Sequence, residues 1–178
     1  MRKGMRALHG FVFGAVVVGV IALLFAPSCN CLNGSAKAVF SPNADAEITA
    51  LLYSAQESID AELYQFSNPE LKAALVDAVA RGVSVRLIME SRVESNYETA
   101  SFLSGKGILV KWGSLEYTNT HSKYCVVDGE TVLVGSTNWS SRGMTSNREA
   151  AVIISDARIA TDFSTAFEED WVKGVAAA

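Results

Sequence analysis

His121 and Lys123 stand two residues apart, Ser136 and Asn138 follow fifteen and seventeen residues after the histidine, and Glu149 trails them. An uncharged imidazole is a nucleophile that titrates near neutrality. An ammonium, a hydroxyl and an amide supply the charge and fixed dipoles that stabilise negative charge developing on phosphoryl oxygens. This set suits phosphodiester cleavage with no metal ion or other cofactor. Asp128 closes the run His121-Ser122-Lys123-Tyr124-Cys125-Val126-Val127-Asp128 and precedes Gly129, so it also reads as a turn residue. The other histidine, His9, lies in an apolar leader. In-line displacement needs an attacking base and a separate acid on the far side of phosphorus. With one histidine in the folded domain, the second imidazole must come from another copy across a two-fold axis.

Strands and helices alternate along the chain that must position these groups. Val39-Phe40 begins an edge strand, and Ser41-Pro42 reads as the N-cap and first position of a helix carrying Ile48, Leu51, Leu52 and Ala55. Residues 58–66 alternate as a strand with Ile59, Ala61 and Leu63 on one face, and Tyr64 and Phe66 are expected in the core. Asn68-Pro69 caps a helix over 70–81, Gly82 ends it, and residues 83–89 form an apolar strand of the kind buried in parallel sheets. A helix over 96–103 and a strand over 108–112 follow. Asp128-Gly129 then turns a hairpin between two β-branched runs. A strand over 150–154 and a helix over 155–172 finish the domain. The pattern predicts an α/β fold, a mixed sheet flanked by helices on both faces. Strand alternation places His121 and Lys123 on one face. Depending on register, Ser136 lies opposite His121, or Asn138 lies opposite His121 and Ser136 opposite Lys123. Trp139 is read as a packing residue, and Arg142 and Arg148 as surface or rim positions.

Residues 1–38 read as a signal peptide or membrane anchor, and 39–178 as one catalytic domain. Arg2, Lys3 and Arg6 precede an uninterrupted apolar run over 11–26. This charge placement puts the N-terminus inside and the domain outside, in the periplasm or extracellular space, cleaved or tethered. Candidate cleavage positions are Ala26-Pro27-Ser28 and Ala36-Lys37-Ala38. All 19 acidic residues lie after residue 38, so the domain is acidic overall. That excludes binding duplex nucleic acid over a broad basic surface and confines phosphate recognition to a local site. The three cysteines give no disulfide framework. Cys125 reads as a small buried residue; Cys29 and Cys31 follow the leader and lack the ligands of a metal site.

His-x-Lys-(x)4-Asp at 121–128, Gly-Ser-x-Asn at 135–138 and the downstream Glu149 resemble the HKD motif of the phospholipase D superfamily. The resemblance covers about residues 40–172. Size, the single motif and the leader look like the short bacterial endonuclease branch, whose members act as homodimers. It implies that His121 forms a phosphohistidine while its twin in the second subunit protonates the leaving oxygen. It also implies that Lys123 and Asn138 hold the phosphate with Ser136 assisting, and that Glu149 holds the other ring nitrogen of His121. Asp128 matches the motif as a catalytic position, although the turn reading places it away from the chemistry. The expected function is a metal-independent endonuclease on DNA or RNA, and the alternative is a phospholipid phosphodiesterase of cardiolipin type. A phosphate-binding scaffold without catalysis is the third and weakest reading.

Overall fold

In Ser58-Ile59-Asp60-Ala61-Glu62-Leu63, the alternate residues Ile59, Ala61 and Leu63 turn to one face and are fully buried, as period-two patterning requires. The same logic builds a sheet across the chain. The computed structural model describes residues 34–177; the apolar run, His9, Cys29 and Cys31 lie outside the described residues. The strands are β1 (Ser35–Phe40), β2 (Ser58–Leu63), β3 (Ser84–Met89), β4 (Leu109–Trp112), β5 (Lys123–Val127), β6 (Thr131–Gly135), β7 (Ala150–Ser155) and β8 (Val175–Ala176). The helices are α1 (Ala44–Ser54), α2 (Pro69–Ala80), α3 (Ser95–Ser104), α4 (Ser141–Thr145) and α5 (Ala157–Lys173). One sheet runs β1-β7-β6-β5-β2-β3-β4-β8, parallel at β2–β3 and β3–β4 and antiparallel at the other neighbours.

Helices cover both faces, as the sequence pattern predicts. Ile48 and Leu52 of α1, Leu71, Ala74 and Leu75 of α2 and Leu103 of α3 pack with the sheet's larger apolar face. Ala160 and Phe167 of α5 pack on Ile88, Tyr124, Val126 and Val132 on the other. Among the described residues no helix is long and apolar enough to cross a membrane.

Three local expectations need correction. β1 starts at Ser35, not Val39: residues 35–38 pair with residues 152–155 of β7, so part of the segment read as leader belongs to the sheet. The second candidate cleavage position falls inside that strand. Helix α1 begins at Ala44 with Asn43 as N-cap, after a cis Ser41–Pro42 peptide. Ser41 does not cap it, because its hydroxyl donates to the Asn147 carbonyl and accepts from the Glu149 N–H. Finally, neither hairpin register considered from sequence occurs. Tyr124 pairs with Val134 and Val127 with Thr131, an alignment one step between the two. The turn still has its expected chemistry, with Asp128 and Gly129 both at positive φ, 54° and 64°. Glu130 is the additional loop residue that shifts the pairing.

Asp128 also fixes the hairpin to the start of β2. Its carboxylate accepts the backbone N–H groups of Gln56, Glu57 and Ser58 at 3.0, 2.8 and 2.9 Å. Burial alone would raise its pKa, but the N–H groups of Ser58, Glu57 and Gln56 outweigh burial and hold it below the ordinary carboxylate value. The resulting stability is fully present above the unfolded-state value and is lost as pH falls through the lowered folded one. Asp128→Ala is therefore expected to cost roughly 2–3 kcal/mol at pH 7, with the gap closing below about pH 4. Urea denaturation at pH 7 and pH 3 checks this, and equal gaps at both would contradict it.

Candidate active site

β5 begins at Lys123, β6 ends at Gly135, β7 begins at Ala150 and β2 ends at Leu63, so four strands bring their termini to one end of the sheet. Gly135 is required there by close approach: a Cβ would lie 2.4 Å from the Ala150 carbonyl oxygen. His121 sits just before β5 instead of within it, and is exposed. The segment is held to β2 by Tyr64 N–H donating to the Ser122 carbonyl at 2.8 Å.

Lys123 is folded back over His121. Its Nζ donates to the His121 carbonyl at 2.7 Å and lies 3.1 Å from His121 Nδ1. The Tyr64 ring packs 4.3 Å from the imidazole, centroid to centroid, and Lys123 Nζ lies 5.1 Å from the centre of the same ring. Tyr64, expected to fill the core, is thus a half-buried wall of the site. Desolvation lowers the Lys123 pKa, partly offset by the negative charge of Glu149. Behind the strand, the buried Glu62 accepts the Tyr124 hydroxyl at 3.2 Å and a hydrogen bond from Ser122. Desolvation raises its pKa against those two bonds, and Asp170 adds to the rise. Glu62 therefore grips both neighbours of Lys123 from the far face.

Glu149 is held by Ser136 and Asn147. Ser136 Oγ donates to its Oε2 at 2.6 Å, and Asn147 Nδ2 donates to its Oε1 at 3.0 Å. The Ser136 proton, expected to assist phosphate binding, is committed to this carboxylate in the structure. Asn138 follows on the loop after β6, where its Oδ1 and the Thr137 hydroxyl are buried without a hydrogen-bond partner among the described residues. With Oδ1 withdrawn, Nδ2 is the donor left for an oxyanion. Asp128 is not part of this group. It lies beyond the opposite end of β5, about 16 Å from Lys123 along the strand, engaged with the backbone of residues 56–58.

Buried polar residues that the sequence reading passed over fix the surrounding loops. Asn96 accepts the Phe66 N–H at 2.9 Å and donates to the carbonyls of Tyr64 and Glu90, each at 2.9 Å. Glu90, 1% exposed, accepts the Thr120 N–H at 2.6 Å and both the backbone and guanidinium of Arg92. Burial opposes its ionisation, but these donors win and lower its pKa. Thr120 directly precedes His121, so this carboxylate anchors the approach to the histidine. Trp139 packs edge-on against Phe66 at 5.3 Å, and its backbone N–H donates to the Gln65 carbonyl. No periodic pattern marks Asn96 or Glu90; the apolar strand that ends at Met89 was the available signal.

One end of a mixed sheet thus presents an imidazole, an ammonium, an amide and a carboxylate to solvent, the constellation of a phosphoryl-transfer enzyme. Residues 48–171 match the family described as Cardiolipin synthase, PLD-like domain. The chain belongs to this phospholipase D-like family and is a phosphodiesterase of that superfamily. It is 33% identical over 178 residues to the mitochondrial cardiolipin hydrolase of Xenopus tropicalis, covering 96% of this chain and 80% of that protein. The crystal structure of the phospholipase D family member Nuc from Salmonella typhimurium superposes with a TM-score of 0.77 at 28% identity, covering 81% of this chain and 98% of that one. NucT from Helicobacter pylori shares the fold, with a TM-score of 0.74 at 18% identity.

Tyr64 supports both the imidazole and the ammonium, contacts worth about 0.5–1.5 kcal/mol. Tyr64→Leu is expected to reduce kcat/KM for a chromogenic phosphodiester by roughly three- to tenfold with the melting temperature little changed. Steady-state kinetics beside thermal denaturation tests this, and unaltered kinetics would remove the ring from the site.

Proposed function

We propose that the chain is a metal-independent endonuclease that cleaves DNA or RNA through a phosphohistidine in a homodimeric site. The carrying observation is Lys123 Nζ lying against both His121 Nδ1 and the His121 carbonyl, a cation held where a phosphate would draw it away. An ammonium only donates, so this contact keeps the imidazole lone pair at Nδ1 and its proton at Nε2. A phosphate competes for the ammonium and releases Nδ1. The proton then moves to Nδ1, with Glu149 as its acceptor, and Nε2 is free to attack. Nε2 bonds to phosphorus, the P–O bond opposite breaks, and its electron pair leaves on an oxygen protonated by the partner subunit's His121. In the second step water gives a proton to that imidazole and its oxygen bonds to phosphorus, returning the P–N pair to His121. Lys123 and Asn138 stabilise the charge on the non-bridging oxygens throughout.

Nucleic acid is favoured over lipid by the walls beside Asn138. The adjoining cleft is lined by polar side chains, Gln65, Ser67, Asn147 and Arg142 among them. The second reading, a cardiolipin-type phosphodiesterase, is supported by the relatives that carry that name and by the apolar run over 11–26. The basic residues before that run support a periplasmic or extracellular domain with N-terminal membrane association.

His121→Ala is expected to abolish turnover, at least a thousandfold, and wild-type activity is expected to survive EDTA. Mixed with excess His121→Ala protein under subunit exchange, wild-type enzyme should fall below the activity its own share predicts. A fully active monomer by analytical ultracentrifugation would defeat the shared site. Plasmid DNA, single-stranded RNA and cardiolipin vesicles, offered side by side, decide between polymer and lipid.

A further inference from the structure

Beside the reacting groups lies a cleft of about 310 Å³, near the lower limit of small-molecule sites and roughly the room of one nucleotide unit. Two of its walls belong to the site already described. Asn138 lines it directly, and Asn147, which also lines it, donates to Glu149. The remaining walls are Gln65 and Ser67 from the loop after β2, Arg142, and two serines of the 140–141 segment. Among the described residues, Arg142 is the cleft's one cation and no carboxylate lines it. That is notable in a domain where acids outnumber bases. The Arg142 guanidinium has no ion pair among the described residues. Arg148, six residues further on, is engaged instead, donating to the Ser41 carbonyl and lying over the Phe40 ring.

We propose that this cleft is a subsite for the phosphate flanking the scissile one in a single-stranded nucleic acid, with Arg142 as its recognition residue. The proposal rests on the nuclease reading above and deepens it. A guanidinium offers a planar fork of donors matched to phosphate oxygens, and the surrounding amides and hydroxyls match a sugar-phosphate backbone. Among the described residues an acyl chain finds no apolar side chain lining it, so a lipid gains little from the cleft. Recognition by one local cation is also how an acidic domain can hold a polyanion without a broad basic surface. Because Arg142 is exposed, its contribution is expected to weaken as salt rises.

The test compares full-length wild type with Arg142→Gln on two phosphodiesters and on cardiolipin vesicles. Bis(p-nitrophenyl) phosphate has one phosphate and nothing for the cleft to hold; a labelled oligothymidylate has flanking phosphates. The ratio of kcat/KM for the oligonucleotide to that for the small diester is expected to fall about five- to twentyfold in Arg142→Gln. The salt dependence of oligonucleotide KM should lose about 0.7 of a log–log unit, the contribution of one single-strand phosphate contact. An unchanged ratio overturns the subsite while leaving the phosphodiesterase reading intact. A loss confined to cardiolipin vesicles overturns it in favour of a lipid headgroup. Wild type that turns over the small diester but not the oligonucleotide removes the nuclease reading and the subsite together. Wild type that hydrolyses neither removes the chemistry itself, an outcome distinct from the others.

Discussion

The Asn96 side chain holds the two halves of the site in relation to one another. Its amide bonds to the Tyr64 carbonyl, the Phe66 N–H and the Glu90 carbonyl, all in the interior. Through Phe66 it fixes the loop that meets Trp139, and hence the segment bearing Asn138. Through Glu90 it fixes the loop carrying Thr120, and hence His121. Removing one partner from a fully satisfied buried network strands the others, at about 1–3 kcal/mol for each orphaned group. A helix of only ten residues therefore sets the geometry of two loops far apart in sequence.

Lys123 experiences opposing demands. Its strand neighbours Ser122 and Tyr124 turn toward Glu62 and helix α5, while Lys123 shares the face of the fully buried Cys125. The apolar side of the sheet lowers the ammonium's affinity for its proton, and Glu149 partly restores it. A cation kept short of water is strongly attracted to an incoming phosphate, because little hydration has to be stripped from it.

Much of this architecture is legible in the amino-acid order. The period-two runs of β2, β5 and β6, the Asn68-Pro69 start of α2 and the Asp128-Gly129 turn are local signals, and the structure follows them. What the sequence hides is what depends on distant partners. Val175-Ala176 becomes a strand only because β4 offers it an open edge. Helix α4 has no apolar periodicity and is defined by the Ser140 hydroxyl accepting the Gly143 N–H. The hairpin register turns on a single loop residue, Glu130, which no pattern of side chains announces. At the site, the turn reading of Asp128 agrees with its place in the structure, but its partners, backbone amides seventy residues away in sequence, leave no local signal. Tyr64 reads as core because an aromatic at a strand end usually is.

Cys125 lies in the strand that opens with Lys123, yet its thiol is fully buried and pushed up to about 12 by desolvation. It is the one free cysteine among the described residues. A thiol that stays protonated and out of contact with solvent neither forms mixed disulfides nor reacts readily with peroxides. The described part of the domain is thereby indifferent to the redox poise of its surroundings, and can work in an oxidising compartment with no thiol of its own to mispair.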